Sequence, residues 1–212
     1  SLSERLTEKQ PAGAKPLDIA VIRLPHIANF TDFNALSREP ATGLRYVDKL
    51  SALSTPDLIL LPGSKNTMGD LAWLHESGLA AAIKQYAAQG TLVMGICGGY
   101  QMLGMTVLDP DGVEEGGRMT GLELLPIDTV FEPHKRRSRV TGSVLPQSNA
   151  YAALSGANFT GYEIHMGRST LREGAAPLVR LSDGSPDGCA SGNVCGSYIH
   201  GLFDEDVGRM LA

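Results

Sequence analysis

The chain has 212 residues, 42% hydrophobic and 19% charged, which is ordinary globular make-up with enough apolar material for a sizeable core. Its formal charge of −5 argues against bulk nucleic-acid binding, and no apolar run is long enough to span a membrane. The 3 cysteines, an odd number, fit a reducing cytosol better than a disulfide framework, so the expected location is cytoplasmic.

Residues 1–16 are polar, lack periodicity and lack the apolar middle of a signal peptide. They read as a linker ahead of one domain over 17–212. A start at Ser1 and a last helix that stops in mid-pattern suggest a piece of a longer protein. The apolar run 18–24 (DIAVIRL) is expected to be a buried strand, followed by 44–47 (LRYV) and 57–61 (DLILL). Beyond the loop PGSKN, Thr67 is expected to cap a helix with Asp70 as its capping-box partner. Met68 and Trp73 fall in this helical pattern and read as core. Leu79, Ala82, Ile83, Tyr86 and Ala87 then recur on one helical face. A fourth apolar strand is expected over 91–96 (TLVMGI), with a short helix from Gly98. Buried strands alternating with helices imply an α/β fold, a mainly parallel sheet flanked by helices. From about residue 120 the segments become short, glycine-rich and strand-like: 122–131, 138–145, 162–167, 176–182 and 193–203. Added β-structure is therefore expected in the second half, with no long helix before 204.

The sharpest chemical signal is Gly95-Ile96-Cys97-Gly98-Gly99-Tyr100-Gln101, the cysteine form of a nucleophile elbow. An apolar strand enters it and a helix leaves. A nucleophile on so sharp a turn sits in a strained backbone conformation, so its neighbours at 95 and 99 must be small. The start of a helix favours the thiolate, and the Gly98 amide points to where an oxyanion would form. The alternative is a buried structural cysteine beside a glycine-rich turn.

A thiolate needs a base and a proton donor for its leaving group. His200 ends an apolar strand before Gly201, well placed to reach a nucleophile on a neighbouring strand, although a satisfied core histidine has the same pattern. His165 lies inside a strand pattern and is open to either reading. His26 and His75 fall in a loop and a helix, and His134 opens a basic stretch that runs through Lys135, Arg136, Arg137 and Arg139. That stretch reads as a solvated basic loop, or as an anchor for a substrate carboxylate. A second oxyanion donor is expected at the Pro62-Gly63 turn. Cys189 and Cys195 have no histidine at zinc-site spacing, so they read as packing or surface thiols and no metal is assigned.

Five ordered segments carry a resemblance: 19–33 (IAVIRLPHIANFTDF), 60–74 (LLPGSKNTMGDLAWL), 95–104 (GICGGYQMLG), 161–167 (GYEIHMG) and 198–203 (YIHGLF). Together the chain resembles the class I (triad-type) glutamine amidotransferases, and within them the C-terminal glutaminase domain of the cobyric acid synthase family. The resemblance implies that Cys97 is the nucleophile and His200 the general base and acid, with Gly63 and Gly98 as oxyanion donors. It places Gln101, Tyr162 and Glu163 around the glutamine. It implies ammonia supply for ATP-dependent amidation of corrinoid carboxylates in cobalamin biosynthesis. No cofactor is expected in this domain; ATP, magnesium and the corrinoid belong to an N-terminal synthetase domain outside this sequence. GSKNT (63–67) lacks the spacing of a phosphate-binding loop, so this chain alone is not expected to make amides.

The resemblance is incomplete at the third catalytic position. Ordinary class I enzymes carry a glutamate two residues after the histidine, where this chain has Leu202. Either the site is a dyad, or Glu163 or Asp204 orients His200. Rival readings are the glutaminase of cobyrinic acid a,c-diamide synthase or of a peptidoglycan-amidating enzyme, another cysteine hydrolase, and a non-catalytic docking module.

Overall fold

A computed structural model describes residues 16–211, so the expected linker lies outside the described residues apart from Pro16. In the first half, β1 (Leu17–Ile22) leads to β2 (Ile27–Ala28), α1 (Asn34–Arg38), β3 (Thr42–Val47) and α2 (Leu50–Leu53). Next come β4 (Leu58–Leu61), β5 (Gly63–Ser64), α3 (Thr67–Glu76), α4 (Leu79–Ala88), β6 (Leu92–Ile96) and α5 (Gly98–Met102). The second half holds β7 (Thr106–Asp109), β8 (Gly117–Thr120), β9 (Ile127–Val144), β10 (Asn158–Leu171) and β11 (Val179–Leu181). It closes with β12 (Pro186–Asp187), β13 (Cys189–Ser191), β14 (Val194–Ser197), β15 (Ile199–His200) and α6 (Asp206–Leu211).

One sheet runs β13-β14-β6-β4-β1-β3, parallel throughout except for the edge strand β13. Its central strands β4 and β6 are buried at every residue, which is why they read as unbroken apolar runs. The four first-half strands fall where the sequence places them, to within two residues.

A second, largely antiparallel sheet runs β12-β11-β9-β10-β15, with β7 beside β9 and β8 beside β7. Two sequence expectations merge or fail here. Segment 138–145 belongs to one long strand that begins at Ile127, because β9 and β10 form a continuous antiparallel pair. Residues 122–126 are no strand: the amides of Leu122, Leu124 and Leu125 cap the carbonyls of Met102 and Leu103 that α5 leaves unpaired.

The β14 strand leaves the second half and inserts beside β6, with Ser197 opposite Ile96. The next residues cross to the other sheet, where His200 pairs with Tyr162 of β10. This crossing brings the late histidine to the end of the elbow strand.

The expected cap of α3 differs. Asn66 is the capping residue and accepts from Gly69 N at 2.9 Å. Asp70 is buried and turns its carboxylate to other donors: the His26 amide, His26 Nδ1 at 2.9 Å and Ser64 Oγ at 2.6 Å. The tertiary donors prevail because a buried carboxylate needs every acceptor site filled. The result ties the Gly63 loop to β2, where Ala28 pairs with Gly63.

Candidate active site

Cys97 stands between β6 and α5 with φ 52° and ψ −109°, a conformation that side-chain-bearing residues rarely adopt. A Cβ at Gly95 would lie 2.6 Å from Tyr100 N, and one at Gly99 would lie 2.1 Å from Leu61 O. Only glycine fits on either side of the elbow. The thiol opens into a cavity of about 300 Å³ and lies 3.6 Å from the Ile164 carbonyl oxygen.

His200 is 1% exposed and reaches the same cavity from β15. Its Nδ1 lies 2.7 Å from Oδ2 of Asp32, which is itself 4% exposed. Asp32 also accepts from the Gly201 amide at 3.2 Å, which ties the carboxylate to the backbone next to the histidine. Asn29 Nδ2 stands 3.1 Å from the same Nδ1, presented by a left-handed backbone at φ 54°. Tyr162 stacks on the imidazole, with ring centroids 5.0 Å apart. Burial disfavours a charged imidazole, but hydrogen bonds to Asp32 and to Cys97 outweigh it and raise His200 to about 9. With Nδ1 engaged by Asp32, Nε2 is the nitrogen left to face the thiol, with Asn29 Nδ2 3.4 Å from it.

Gly63 and Gly98 flank the sulfur. A Cβ at Gly63 would lie 3.1 Å from His200 Cε1 and 3.7 Å from Cys97 Cβ; one at Gly98 would lie 2.9 Å from Ser64 N. Gly98 opens α5, so its amide has no partner within the helix. Gln101 lines the cavity with its amide held from both ends: Thr67 Oγ1 donates to Oε1 at 3.3 Å and Nε2 donates to Tyr198 OH at 3.2 Å.

Tyr162 and Glu163 are outside the cavity lining. The buried Glu163 accepts from Ser138 Oγ at 3.1 Å and pairs with Arg136 at 3.1 Å. Asp204 lines a separate cavity of about 620 Å³ with Tyr162, Arg137 and Arg139. Neither acid bonds to His200, so the place that the sequence offered to Glu163 or Asp204 is filled by Asp32. Strand alternation explains Glu163: beside Tyr162, which faces the imidazole, it points to the opposite side of β10.

The remaining histidines divide. His165 lines the cavity, stacks on Tyr198 at 3.7 Å and engages Gly167 O through Nδ1; burial lowers its pKa. His26 is held by Asp70, and His75 Nε2 meets Thr120 O at 3.1 Å. The basic stretch is split as well: Lys135 reaches the Cys97 cavity, while Arg137 and Arg139 face the other one. Cys189 and Cys195 are buried in the parallel sheet's edge, and burial pushes the Cys189 thiol up to about 11. Among the described residues no group of three or more His, Cys, Asp and Glu is placed to hold a metal.

Sequence reasoning missed Asp32 and Asn29. They lie in the segment ANFTDF, part of the resemblance, but 168 residues separate Asp32 from the histidine it holds.

A family model described as the CobB/CobQ-like glutamine amidotransferase domain matches residues 18–208, almost all of the described chain. The chain belongs to this family. Curated relatives include the cobyric acid synthase of Ruminiclostridium cellulolyticum, 51% identical over 213 residues that cover 97% of this chain and 41% of the relative. The cobyric acid synthase of Yersinia enterocolitica is 53% identical over 209 residues, covering 92% of this chain and 40% of the relative. The chain thus spans about two fifths of the length of these relatives. Among solved structures, PurLQS from Thermotoga maritima aligns with a TM-score of 0.68 at 22% identity, covering 88% of each chain. A crystal structure of a glutamine amidotransferase aligns at 0.63 with 20% identity, covering 91% of this chain and 96% of that one. At such identities these two establish the fold, that of the class I glutamine amidotransferases.

Proposed function

We propose that the chain, over 17–212, is the glutaminase part of a cobyric acid synthase, joined by residues 1–16 to a synthetase half. It hydrolyses glutamine and supplies ammonia for amidation of corrinoid carboxylates in cobalamin biosynthesis, in the cytoplasm. ATP, magnesium and the corrinoid belong to the synthetase half, and this domain needs no cofactor of its own. The observation that carries the reading is the line from the buried Asp32 carboxylate through His200 to the thiol on the strained elbow.

In this reading the Cys97 thiolate attacks the carboxamide carbon of glutamine, and the oxyanion rests on the amides of Gly63 and Gly98. The imidazolium of His200 gives its proton to the departing nitrogen as the C–N bond breaks, releasing ammonia and leaving a thioester on Cys97. His200, now neutral, takes a proton from water as the water oxygen attacks the thioester. Glutamate leaves, and the proton now on His200 restores the thiolate–imidazolium pair. Asp32 positions the ring and stabilises its charged form, the part a carboxylate plays in a nucleophile–histidine–acid line. Gln101 braces the elbow and borders the bound carboxamide.

The test is mass spectrometry after treatment with diazo-oxo-norleucine, a glutamine analogue that alkylates thiols. It is applied to the full-length polypeptide and to its Cys97→Ala variant. Adduct on Cys97 in the wild type alone supports the reading; an unmodified wild type overturns it.

A further inference from the structure

The basic stretch of β9 divides at a bulge. Phe131 pairs with Gly167 and Arg136 with His165, so residues 132–135 face Met166 alone, and Lys135 is carried to the Cys97 cavity. Beyond the bulge the ladder is regular, with Arg137 opposite Ile164 and Arg139 opposite Tyr162. Two apart on one strand, these arginines share a face with Tyr162 and, one strand further, with His200. Arg136 faces the other way and pairs with Glu163 at 3.1 Å. Arg137 and Arg139 are exposed, and neither makes an ion pair or a side-chain hydrogen bond among the described residues.

Both arginines line a second cavity, of about 620 Å³, that glutamine hydrolysis as described does not use. Tyr162 lines this cavity and stacks on His200, and Ile164 lines both cavities, so the two share a wall. Thr160 adds a hydroxyl, and burial raises the pKa of Tyr162, which keeps its phenol a donor. The acid of this lining, Asp204, follows β15, which lies on the other side of β10 from the arginines. Two strand spacings, about 10 Å, separate β9 from β15. The β9 rim is therefore positive, on a chain whose formal charge is −5. Unpaired guanidiniums at such a rim fit carboxylates, each through two parallel N–H donors.

We propose that Arg137 and Arg139 form a subsite for the acceptor of the amidation, a molecule with several carboxylates: they hold one that is not reacting while the synthetase half activates another. The proposal rests on the amidation reading and extends it, since it gives the glutaminase part a contact with the acceptor. It sets that acceptor against the wall behind which His200 serves the release of ammonia. The hold weakens as carboxylates become amides, because a neutral carboxamide gives the guanidiniums no charge to pair. The subsite thus favours unfinished acceptor over product.

The test uses the full-length polypeptide with an ammonium salt as nitrogen source, at fixed ionic strength, so that turnover does not depend on Cys97. In Arg137→Ala/Arg139→Ala the KM for the corrinoid acceptor is expected to rise about 3- to 30-fold, the range for two partly solvated charge pairs. Arg137→Lys/Arg139→Lys, which keeps both charges and loses the planar forks, should fall between. Labelling of Cys97 by diazo-oxo-norleucine should match the wild type in both variants; an alanine pair that loses it leaves the decision to the lysine pair. An unchanged KM overturns the subsite and leaves a solvated basic face. A rise in the KM for ATP alone overturns it too, as does a loss confined to glutamine-dependent turnover; the arginines then pair with phosphates or with acids of the synthetase half. A wild type that amidates no corrinoid with ammonia overturns the amidation reading, and this proposal with it.

Discussion

The two sheets divide the work of the site differently. The parallel sheet delivers Cys97 at the end of one buried strand, and its neighbour β14 leads straight into His200. Asp32 comes from the turn that follows β1 and β2 in the same half. The antiparallel sheet instead covers the site: Tyr162 stacks on the imidazole, His165 and Met166 border the cavity, and the β9 bulge carries Lys135. Each half buries a carboxylate, Asp32 in the turn after β2 and Glu163 on β10, each below 5% exposed. Only Asp32 has a histidine for a partner; Glu163 is spent on Ser138 and an exposed arginine. Burial alone thus says little about a carboxylate's role, and the identity of its donor decides it.

That contrast is sharpest in turnover. Asp32→Asn is expected to lower glutamine turnover by about 10²- to 10⁴-fold, as when the acid of a nucleophile–histidine–acid line loses its charge. Glu163→Gln should cost less than about 10-fold, since it removes a half-solvated ion pair away from the sulfur. Steady-state kinetics with the pH profile checks both. In Asp32→Asn the alkaline limb should move from near 9 towards the ordinary histidine value of 6.5, which a purely structural role for Asp32 would not produce. Equal losses in the two variants would break the comparison.

A second difference lies in packing tolerance. Gly99→Ala pushes a Cβ to 2.1 Å from a backbone oxygen in the parallel half, so we expect about 3 kcal/mol or more of lost stability. Gly174→Ala, in the loop after β10 at φ 80° with open space around it, carries only backbone strain of about 1 kcal/mol. Denaturant unfolding of both variants measures this. A mild Gly99→Ala would mean that the elbow is less closely packed than its geometry implies.

The smallest effect is a pH slope. The folded value for His200 lies above its ordinary 6.5, so its charged form stabilises the fold fully below about pH 6.5. That stabilisation is lost as pH rises towards 9. The stability gap between wild type and Asp32→Asn should therefore shrink across this window, by on the order of 2 kcal/mol. Glu163→Gln, which leaves His200 and Asp32 in contact, should track the wild type. Thermal unfolding at a series of pH values reads the slope, and a gap that widens would reverse the sign of the assignment.

Much of the parallel half was legible because its signals are local. Strands buried on both faces must be apolar runs, and β4 and β6 are. The elbow's glycines at 95 and 99 are demanded within a few residues of Cys97, so the motif can be read without knowing the fold. The strand-end place before Gly201 made His200 a candidate, and the family resemblance singled it out from a core histidine. The antiparallel half was less legible: β9 was divided into pieces because its exposed stretch from Glu132 to Arg137 breaks the apolar alternation. The cap of α3 was misread for a related reason, since Asp70 has better donors in His26 and Ser64 than its own helix supplies.

By itself, the sequence determined the class of the fold, the family resemblance, the nucleophile's turn and the pairing of one cysteine with one late histidine. These depend on periodicity, on glycine's lack of a Cβ and on short motifs, all of which act over a few residues. Only the tertiary structure decided that Asp32 holds His200, that Glu163 does not, and that Glu114 and Lys135 line the same cavity as the thiol. Each of those contacts joins residues far apart in the chain. Their side-chain chemistry fits several partners equally well, and strand order, register and the β9 bulge select one.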